Sequence, residues 1–292
     1  MVTGASGLVG GALVPTLTQA GHEVIALVRR PPSGAGERQW DPHGELPSSI
    51  FEGADAVIHL AGESIAAGRW TVEQKRRILD SRKLGTERLC RALVGLARKP
   101  AVLISASAIG YYGDRGDEML TETSASGTGF LPEVARAWED ATKPAAEAGI
   151  RVVLPRIGVV LSTKGGALGK MLLPFRMGAG GRVGSGRQWM SWIHIGDLVA
   201  VISSALTGDL RGTVNAVAPN PVSNADFTRI LGEILHRPTI LPMPALAVKL
   251  VFGEMGQELL LGSQRVLPER LQQAEFSFRY ATLKPALKDL LG

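Results

Sequence analysis

The chain has 292 residues, of which 45% are hydrophobic and 20% charged, with 36 glycines, 17 prolines and one cysteine. A single cysteine excludes a disulfide framework, the aliphatic content excludes a disordered chain, and no apolar run reaches the roughly 18–20 residues of a membrane helix. The start of the chain has no secretory signal, so we expect a cytoplasmic protein without membrane partners. The net charge of +5 is dispersed without interleaved aromatics, so nucleic acid is not an expected partner.

Strand and helix patterns alternate along most of the chain. Aliphatic runs predict strands over 1–3, 23–28, 54–60, 102–105, 151–154 and 213–217. Apolar periodicity predicts helices over 10–19, 72–96, 131–148, 224–235 and, after a strand end, within 193–206. Alternation of this kind is typical of a parallel sheet covered by helices on both faces.

The second half of the chain is less regular. Residues 165–188 are rich in glycine with little periodicity, and from residue 237 prolines separate short helices. We therefore expect an α/β fold: a Rossmann-type, doubly wound parallel sheet with a smaller, mixed C-terminal lobe. The predicted domains are a nucleotide-binding domain over 1–218, in which 162–192 contribute to a substrate lobe, and a small C-terminal domain over 237–292.

Three glycines lie between the first predicted strand and the first predicted helix. Gly4, Gly7 and Gly10 form a G-x-x-G-x-x-G pattern. Such glycines permit a tight turn, close approach of a pyrophosphate and tight packing of helix on strand, while the helix N-terminus attracts phosphate. The pattern predicts a dinucleotide site. The strand before it has three residues where about five or six are usual, so we expect natural residues before Met1.

The end of the second predicted strand indicates which dinucleotide binds. An NAD site usually has an acidic residue about 20 residues beyond the loop, for the ribose 2′-hydroxyl. Here Arg29 and Arg30 stand at that place, without a carboxylate. A guanidinium can bind a 2′-phosphate, so we predict NADP(H), with Arg29 as the contact.

Further motifs carry a resemblance to a known family. Besides the glycine loop, they are Leu60-Ala61-Gly62-Glu63, Ser81-Arg82, Gly110-Tyr111-Tyr112-Gly113, Trp138-Glu139, Arg156–Leu161, Gly184–Gln188, Ser191–Asp197 and Gly262–Pro268. Together they resemble the atypical, extended short-chain dehydrogenase/reductases, the NAD(P)-dependent epimerase/dehydratase superfamily. Within this superfamily, the motifs most resemble those of the SDR39U1-like "epimerase family protein" subfamily. The resemblance covers essentially the whole chain.

The resemblance implies a set of cofactor contacts. NADP(H) would run across the strand ends, along the phosphate loop, past the following strand ends and towards the sixth strand. The implied cofactor-binding residues are Gly4, Ser6, Gly7, Leu8, Val9, Arg29, Leu60, Ala61, Arg76, Ser81 and Val159.

The superfamily's proton-transfer set is incomplete in this chain. The resemblance implies a Ser-Tyr-Lys set, with Tyr and Lys in a Y-x-x-x-K motif. Ser107 stands in the expected place, but Leu131 and Ala135 replace the tyrosine and the lysine. Tyr111 and Tyr112 are the substitute proton donors, with Arg115 or Arg156 as the neighbouring cation, or else both tyrosines only shape the pocket.

Two functions follow from this pattern. The first is an NADP(H)-dependent oxidoreductase or epimerase-like enzyme acting on a small polar substrate, with a homodimer as the expected assembly. The second is a catalytically silent NADP(H)-binding sensor or partner-binding protein. The chain offers no cluster of metal ligands, so no metal is expected.

Overall fold

The computed structural model describes residues 1–292 and contains fourteen strands. They are β1 (Val2–Thr3), β2 (Ala26–Val28), β3 (Glu37–Gln39), β4 (Ala56–His59), β5 (Val102–Ser105), β6 (Ser107–Ala108), β7 (Met119–Leu120), β8 (Arg151–Ile157), β9 (Val159–Leu161), β10 (Trp189–Met190), β11 (Trp192–His194), β12 (Gly212–Ala216), β13 (Val222–Ser223) and β14 (Arg265–Val266).

Ten α-helices connect and cover these strands. They are α1 (Leu8–Gln19), α2 (Val72–Val94), α3 (Phe130–Asp140), α4 (Lys143–Glu147), α5 (Gly166–Arg176), α6 (Ile195–Thr207), α7 (Asn224–Leu235), α8 (Ala245–Gly256), α9 (Glu269–Gln273) and α10 (Leu283–Leu291). A π-helical turn, Gln257–Leu261, follows α8 directly. No helix combines the length and the apolar character needed to cross a membrane.

The central sheet is parallel and has the strand order β3-β2-β1-β4-β5-β8-β12, with β6 also paired to β8. This is the Rossmann order, in which the chain runs outward from β1 in one direction and then in the other. The carboxyl ends of all these strands meet at one edge, where ligands of such sheets bind. The predicted fold class is confirmed.

The sheet is buried on both faces because adjacent residues of each strand point to opposite sides. Val57 and Leu103 pack with α2 and α4, whereas Ile58 and Ile104 pack with α1 and α6. Burial on both faces explains why these strands are continuous aliphatic runs in the sequence.

A second apolar cluster lies outside the sheet and joins α5, α7 and α10. Asp197 of α6 connects the C-terminal segment to the main domain, because its carboxylate accepts the backbone N–H groups of Arg279 and Tyr280. The predicted boundary between 218 and 237 falls on α7, and the domain division itself stays a prediction.

Three elements differ from those predicted. Strand β3 is a partly exposed edge strand with charged residues, so it has no aliphatic run to find. The helix predicted over 131–148 is two helices, because Pro144 has no N–H to continue the ladder. The glycine-rich stretch contains α5, which is stabilised by packing of Leu168, Leu172 and Phe175 in the second cluster.

Candidate functional site

The turn between β1 and α1 is built on glycines that no other residue could replace. Gly4 has a φ of +67°, and a Cβ on it would lie 2.8 Å from the carbonyl carbon of Leu60. A Cβ on Gly10 would lie 2.3 Å from the carbonyl oxygen of Gly4. The turn therefore packs directly on the end of β4 and leaves a cradle that a side chain would fill.

The N-terminus of α1 is open to an anion. Gly7 caps the helix without a side-chain hydrogen bond, and the first turn contains no acidic residue. Ser6 and Gly7 are exposed, and Leu8 and Val9 are half-buried. Free N–H groups at a helix N-terminus attract phosphate. The backbone from Gly4 to Val9 thus has the chemistry expected of a pyrophosphate cradle.

Arg29 and Arg30 differ in their partners at the end of β2. Arg30 is paired with Glu37, which also accepts the N–H and hydroxyl of Ser33. The hydrogen bond and charge of Arg30, with those from Ser33, lower the pKa of Glu37 to about 2. Arg29 is exposed and makes no ion pair within the chain. Arg29 is therefore the guanidinium left for a ligand at this strand end.

Leu60 and Ala61 lie beside the glycine turn. Both of their backbone N–H groups donate to Thr3 Oγ1, at 3.1 and 3.2 Å, and both residues are half-buried. The structure therefore brings this segment against the turn at the carboxyl edge, and its contact with a cofactor stays a prediction.

The other predicted cofactor residues are more peripheral. Arg76 is exposed and paired with Glu73 on the same helix. Ser81 Oγ accepts the N–H of Glu63 and donates to the carbonyl of Ile78, so it holds the loop after β4. Val159 is half-buried at the start of β9. Their contact with a cofactor stays a prediction.

A buried ionic network surrounds Ser107. Its hydroxyl donates to Glu139 Oε1 at 2.6 Å, and the same carboxylate receives two bonds of 2.8 Å from Arg156. Burial alone would lower the pKa of Arg156, but the bonds to Glu139 and its charge outweigh burial and raise it. Ser107 is 2% exposed, so this network holds its hydroxyl in a fixed position.

Tyr112 is committed to the core and is not placed to donate a proton to a substrate. Its side chain is fully buried, and its hydroxyl contacts Asn215 Oδ1 at 2.8 Å and the carbonyl of Thr121 at 2.9 Å. Arg156 also donates to this hydroxyl. Burial raises the pKa of Tyr112 by more than Arg156 and Asn215 lower it.

Tyr111, unlike Tyr112, has a partly accessible side chain and a free hydroxyl. It is half-buried, and its hydroxyl makes no hydrogen bond within the chain. The guanidinium of Arg156 stacks on its ring, 3.5 Å from the centroid. Arg115 is instead paired with Glu118. Of the two predicted cations, Arg156 is therefore the one that the structure brings to both tyrosines, and Tyr111 is the tyrosine whose hydroxyl stays free beside it.

A small polar cleft is lined in part by Gly110 and Gly113, on either side of the two tyrosines. It has a volume of about 230 Å³, and Leu131 is its one apolar lining residue. Its polar side chains come from two parts of the chain: Asp114, Thr128, Gln257, Glu258 and Gln264. Leu131 of α3, at the position of the usual tyrosine, thus forms the apolar wall of the cleft.

Sequence reasoning assigned no role to three residues that the structure places at this edge of the sheet. Glu139 holds Ser107 from 32 positions away, so only the fold reveals the pair. Glu258 caps α3 from the distant π-helical turn. His59 ends β4, fully buried between Thr3 and Thr86. His59 stands inside an aliphatic run, and that polar interruption is the one signal that could have drawn attention to it.

Known family models match most of the chain. A model of the NAD dependent epimerase/dehydratase family matches residues 1–216, and a domain of unknown function, DUF1731, matches residues 243–290. An epimerase family protein of Mycobacterium bovis is 44% identical over 288 residues, which cover 98% of this chain and 95% of that protein.

Two solved structures are similar over the whole chain. The crystal structure of the human epimerase family protein SDR39U1 with NADPH has a TM-score of 0.91 and 35% identity, covering 99% of this chain and 98% of that one. A nucleoside-diphosphate sugar epimerase of Corynebacterium glutamicum has a TM-score of 0.84 and 42% identity, covering this chain entirely and 57% of that one. The chain therefore belongs to the NAD dependent epimerase/dehydratase family, in the group of epimerase family proteins that includes human SDR39U1.

Proposed function

We propose that this chain is an NADP(H)-dependent oxidoreductase or epimerase-like enzyme that acts on a small polar substrate. The observation that carries the proposal is the glycine cradle at α1 together with an Arg29 that makes no ion pair at the end of β2. The NADPH in the similar human structure supports the same cofactor. A bound nicotinamide would supply or accept a hydride.

The chain's own residues have distinct roles in this proposal. The N–H groups of the α1 turn bind the pyrophosphate, and Arg29 binds the 2′-phosphate. The hydroxyl of Ser107, which Glu139 orients, accepts a hydrogen bond from a polar group of the substrate or positions that group. Tyr111 exchanges the proton at its free hydroxyl, with the charge of Arg156 beside its ring. The polar cleft lined by Asp114, Glu258 and Gln264 receives the substrate.

A titration of the protein with NADPH and with NADH tests the cofactor assignment, read from energy transfer between tryptophan and nicotinamide. NADPH should bind at least tenfold more tightly than NADH. Arg29→Ala should remove most of that preference because it removes a charge-assisted bond to the 2′-phosphate, whereas Arg30→Ala should keep it, since Arg30 is held by Glu37. Equal binding of the two nucleotides would rule out the role of Arg29.

The second candidate function is NADP(H) binding without catalysis, and it needs a separate test. Leu131 and Ala135 in place of the usual tyrosine and lysine favour a silent NADP(H)-binding sensor. The two proposals differ in turnover, so NADPH absorbance should be followed with a panel of small polar carbonyl compounds. Turnover with any of them supports the enzyme. Binding of NADPH without turnover across the panel supports the sensor.

The proposal also includes the location and the assembly of the protein. We propose action in the cytoplasm, where the buried free thiol of Cys90 would stay reduced. We propose a homodimer as the assembly and a small molecule as the partner.

A further inference from the structure

The exposed aliphatic side chains of this protein are concentrated on α5, on α8 and on the segment that leads into α8. Eight large apolar residues there are between 42% and 79% exposed: Leu173, Met177, Ile240, Leu241, Met243, Leu246, Leu250 and Val251. The rest of the chain exposes only Val72, Val94 and Met119. Singly exposed apolar residues are ordinary, whereas a concentration of this kind marks an interaction surface. We call these eight residues the apolar face.

Each helix contributes one turn of adjacent side chains to the apolar face. Leu173 and Met177 are four residues apart at the end of α5, so they lie on the same side of that helix. Leu246 and Leu250 have the same spacing on α8, on the side opposite the buried Val248. Both helices thus bury one side and leave an apolar side without a partner in the chain.

The segment before α8 joins the two helices into one surface. Ile240 pairs with Gly181 and Met243 pairs with Val183, so this segment runs beside the residues that follow α5. The apolar face is therefore continuous from α5 to α8.

The charges around the apolar face have one sign. Residues 148–196 and 234–253, which form it, contain no aspartate or glutamate. Their exposed cations without an ion pair in the chain include Lys170, Arg176, Arg182, Arg237 and Lys249. The carboxylates of α7 and α8, Asp226, Glu233 and Glu254, are each paired with a cation. The surface therefore combines aliphatic side chains with unneutralised positive charge.

We propose that the apolar face docks the protein on a membrane surface that contains anionic phospholipids. The aliphatic side chains enter the boundary between head groups and acyl chains, and the lysines and arginines contact the anionic head groups. Docking of this kind needs no spanning helix. It therefore departs from the expectation of no membrane partner, which was based on spanning and secretory segments alone. It does not depend on the proposed function.

A second copy of the chain fits the apolar face less well than a membrane does. A two-fold interface joins the same patch of both copies, so it would bring the unpaired cations together without carboxylates to neutralise them. The face also has none of the exposed Trp and Tyr anchors that usually hold protein interfaces together.

Sedimentation with lipid vesicles tests the docking surface. Wild-type protein should bind vesicles of phosphatidylcholine with about 30% phosphatidylserine roughly tenfold more tightly than vesicles of phosphatidylcholine alone. Leu246→Gln combined with Leu250→Gln should weaken binding to the anionic vesicles about tenfold, because it removes apolar contact at exposed helical positions that glutamine tolerates. Val94→Gln combined with Met119→Gln, at exposed apolar positions outside the face, should bind as the wild type does.

A charge variant tests the second component of the surface. Arg182→Gln combined with Lys249→Gln should weaken binding to the anionic vesicles roughly tenfold and leave binding to phosphatidylcholine alone unchanged. Raising the salt concentration should weaken binding of the wild type more than binding of this variant, since salt screens exposed charges.

Three results would overturn the proposal. The first is a wild type that fails to bind the anionic vesicles or binds both kinds of vesicle equally. The second is equal vesicle binding by the leucine variant and its control. The third is a dimer, seen by sedimentation velocity without lipid, that the wild type forms and the leucine variant does not, since the face would then belong to a second copy.

Discussion

At the residue scale, the two neighbouring tyrosines differ in burial and in hydrogen-bond partners. Tyr111 and Tyr112 are adjacent in a 3₁₀ turn, Ile109–Tyr112, so their side chains leave it in different directions. Tyr112 points into the core, to Asn215 and Arg156, and Tyr111 lies on the outer face of the same guanidinium. The sequence around Tyr111 and Tyr112 contains no local feature that distinguishes the two residues, so only packing determines which side chain is buried.

Phenylalanine substitutions test what each hydroxyl does. Tyr112→Phe leaves buried acceptors without a donor and should lower the free energy of unfolding by about 1–3 kcal/mol. Tyr111→Phe removes a hydroxyl without a partner, so stability should change by less than about 0.5 kcal/mol. Any NADPH-dependent turnover should fall by about 10²-fold or more in Tyr111→Phe. Urea unfolding and steady-state kinetics measure both effects, and full turnover in Tyr111→Phe would exclude it as the proton donor.

His59 makes stability depend on pH. Burial, with a smaller contribution from the charge of Arg82, lowers the pKa of His59 to about 4. The unfolded chain therefore binds this proton more readily than the folded one, so stability is complete above about pH 6.5 and is lost as the pH falls towards 4. The contribution amounts to about 3 kcal/mol at most.

The measurement is urea unfolding between pH 7.5 and 4.5. His59→Gln can keep a bond to Thr3 but cannot titrate, so its stability should fall less over this range than that of the wild type. His22→Asn, at an exposed position, should keep the wild-type slope. An unchanged slope in His59→Gln would show that other groups cause the acid sensitivity.

At the element scale, α3 begins with help from a distant part of the chain. Gly129 gives it no side-chain cap, and the carboxylate of Glu258 accepts the N–H groups of Phe130 and Leu131 at 3.1 and 3.0 Å. A negative charge at a helix N-terminus also favours the helix dipole. The π-helical turn that carries Glu258 thus stabilises the helix that carries Glu139.

Glu258→Ala should lower the free energy of unfolding by about 1–2 kcal/mol, as loss of a cap usually does. Glu254 is the matched control, because it lies in the same C-terminal lobe as Glu258 and forms an ion pair with Lys75 of α2 at the surface. Glu254→Ala should cost less than about 1 kcal/mol, since exposed ion pairs contribute little. Equal losses in the two variants, measured by urea unfolding, would contradict the capping role.

At the scale of the whole molecule, the site is assembled from segments far apart in the chain. The phosphate turn comes from the first ten residues, Ser107 and Tyr111 from the segment after β5, and the cleft's Glu258 and Gln264 from the C-terminal lobe. Contacts such as Lys170 to the carbonyl of Ala66, and Lys75 to Glu254, connect the lobe to the loop and helix after β4.

The amino-acid sequence by itself determined the parallel sheet and the glycine turn at its carboxyl edge. Buried parallel strands need uninterrupted aliphatic runs, and a phosphate turn needs glycines at fixed spacing, so both are local patterns that can be read along the chain. The tertiary structure alone decided the edge strand β3, the helix α5, the different burial of Tyr111 and Tyr112, and the contacts of Glu139 and Glu258. Those features depend on burial and on contacts between residues distant in sequence, which no local pattern encodes.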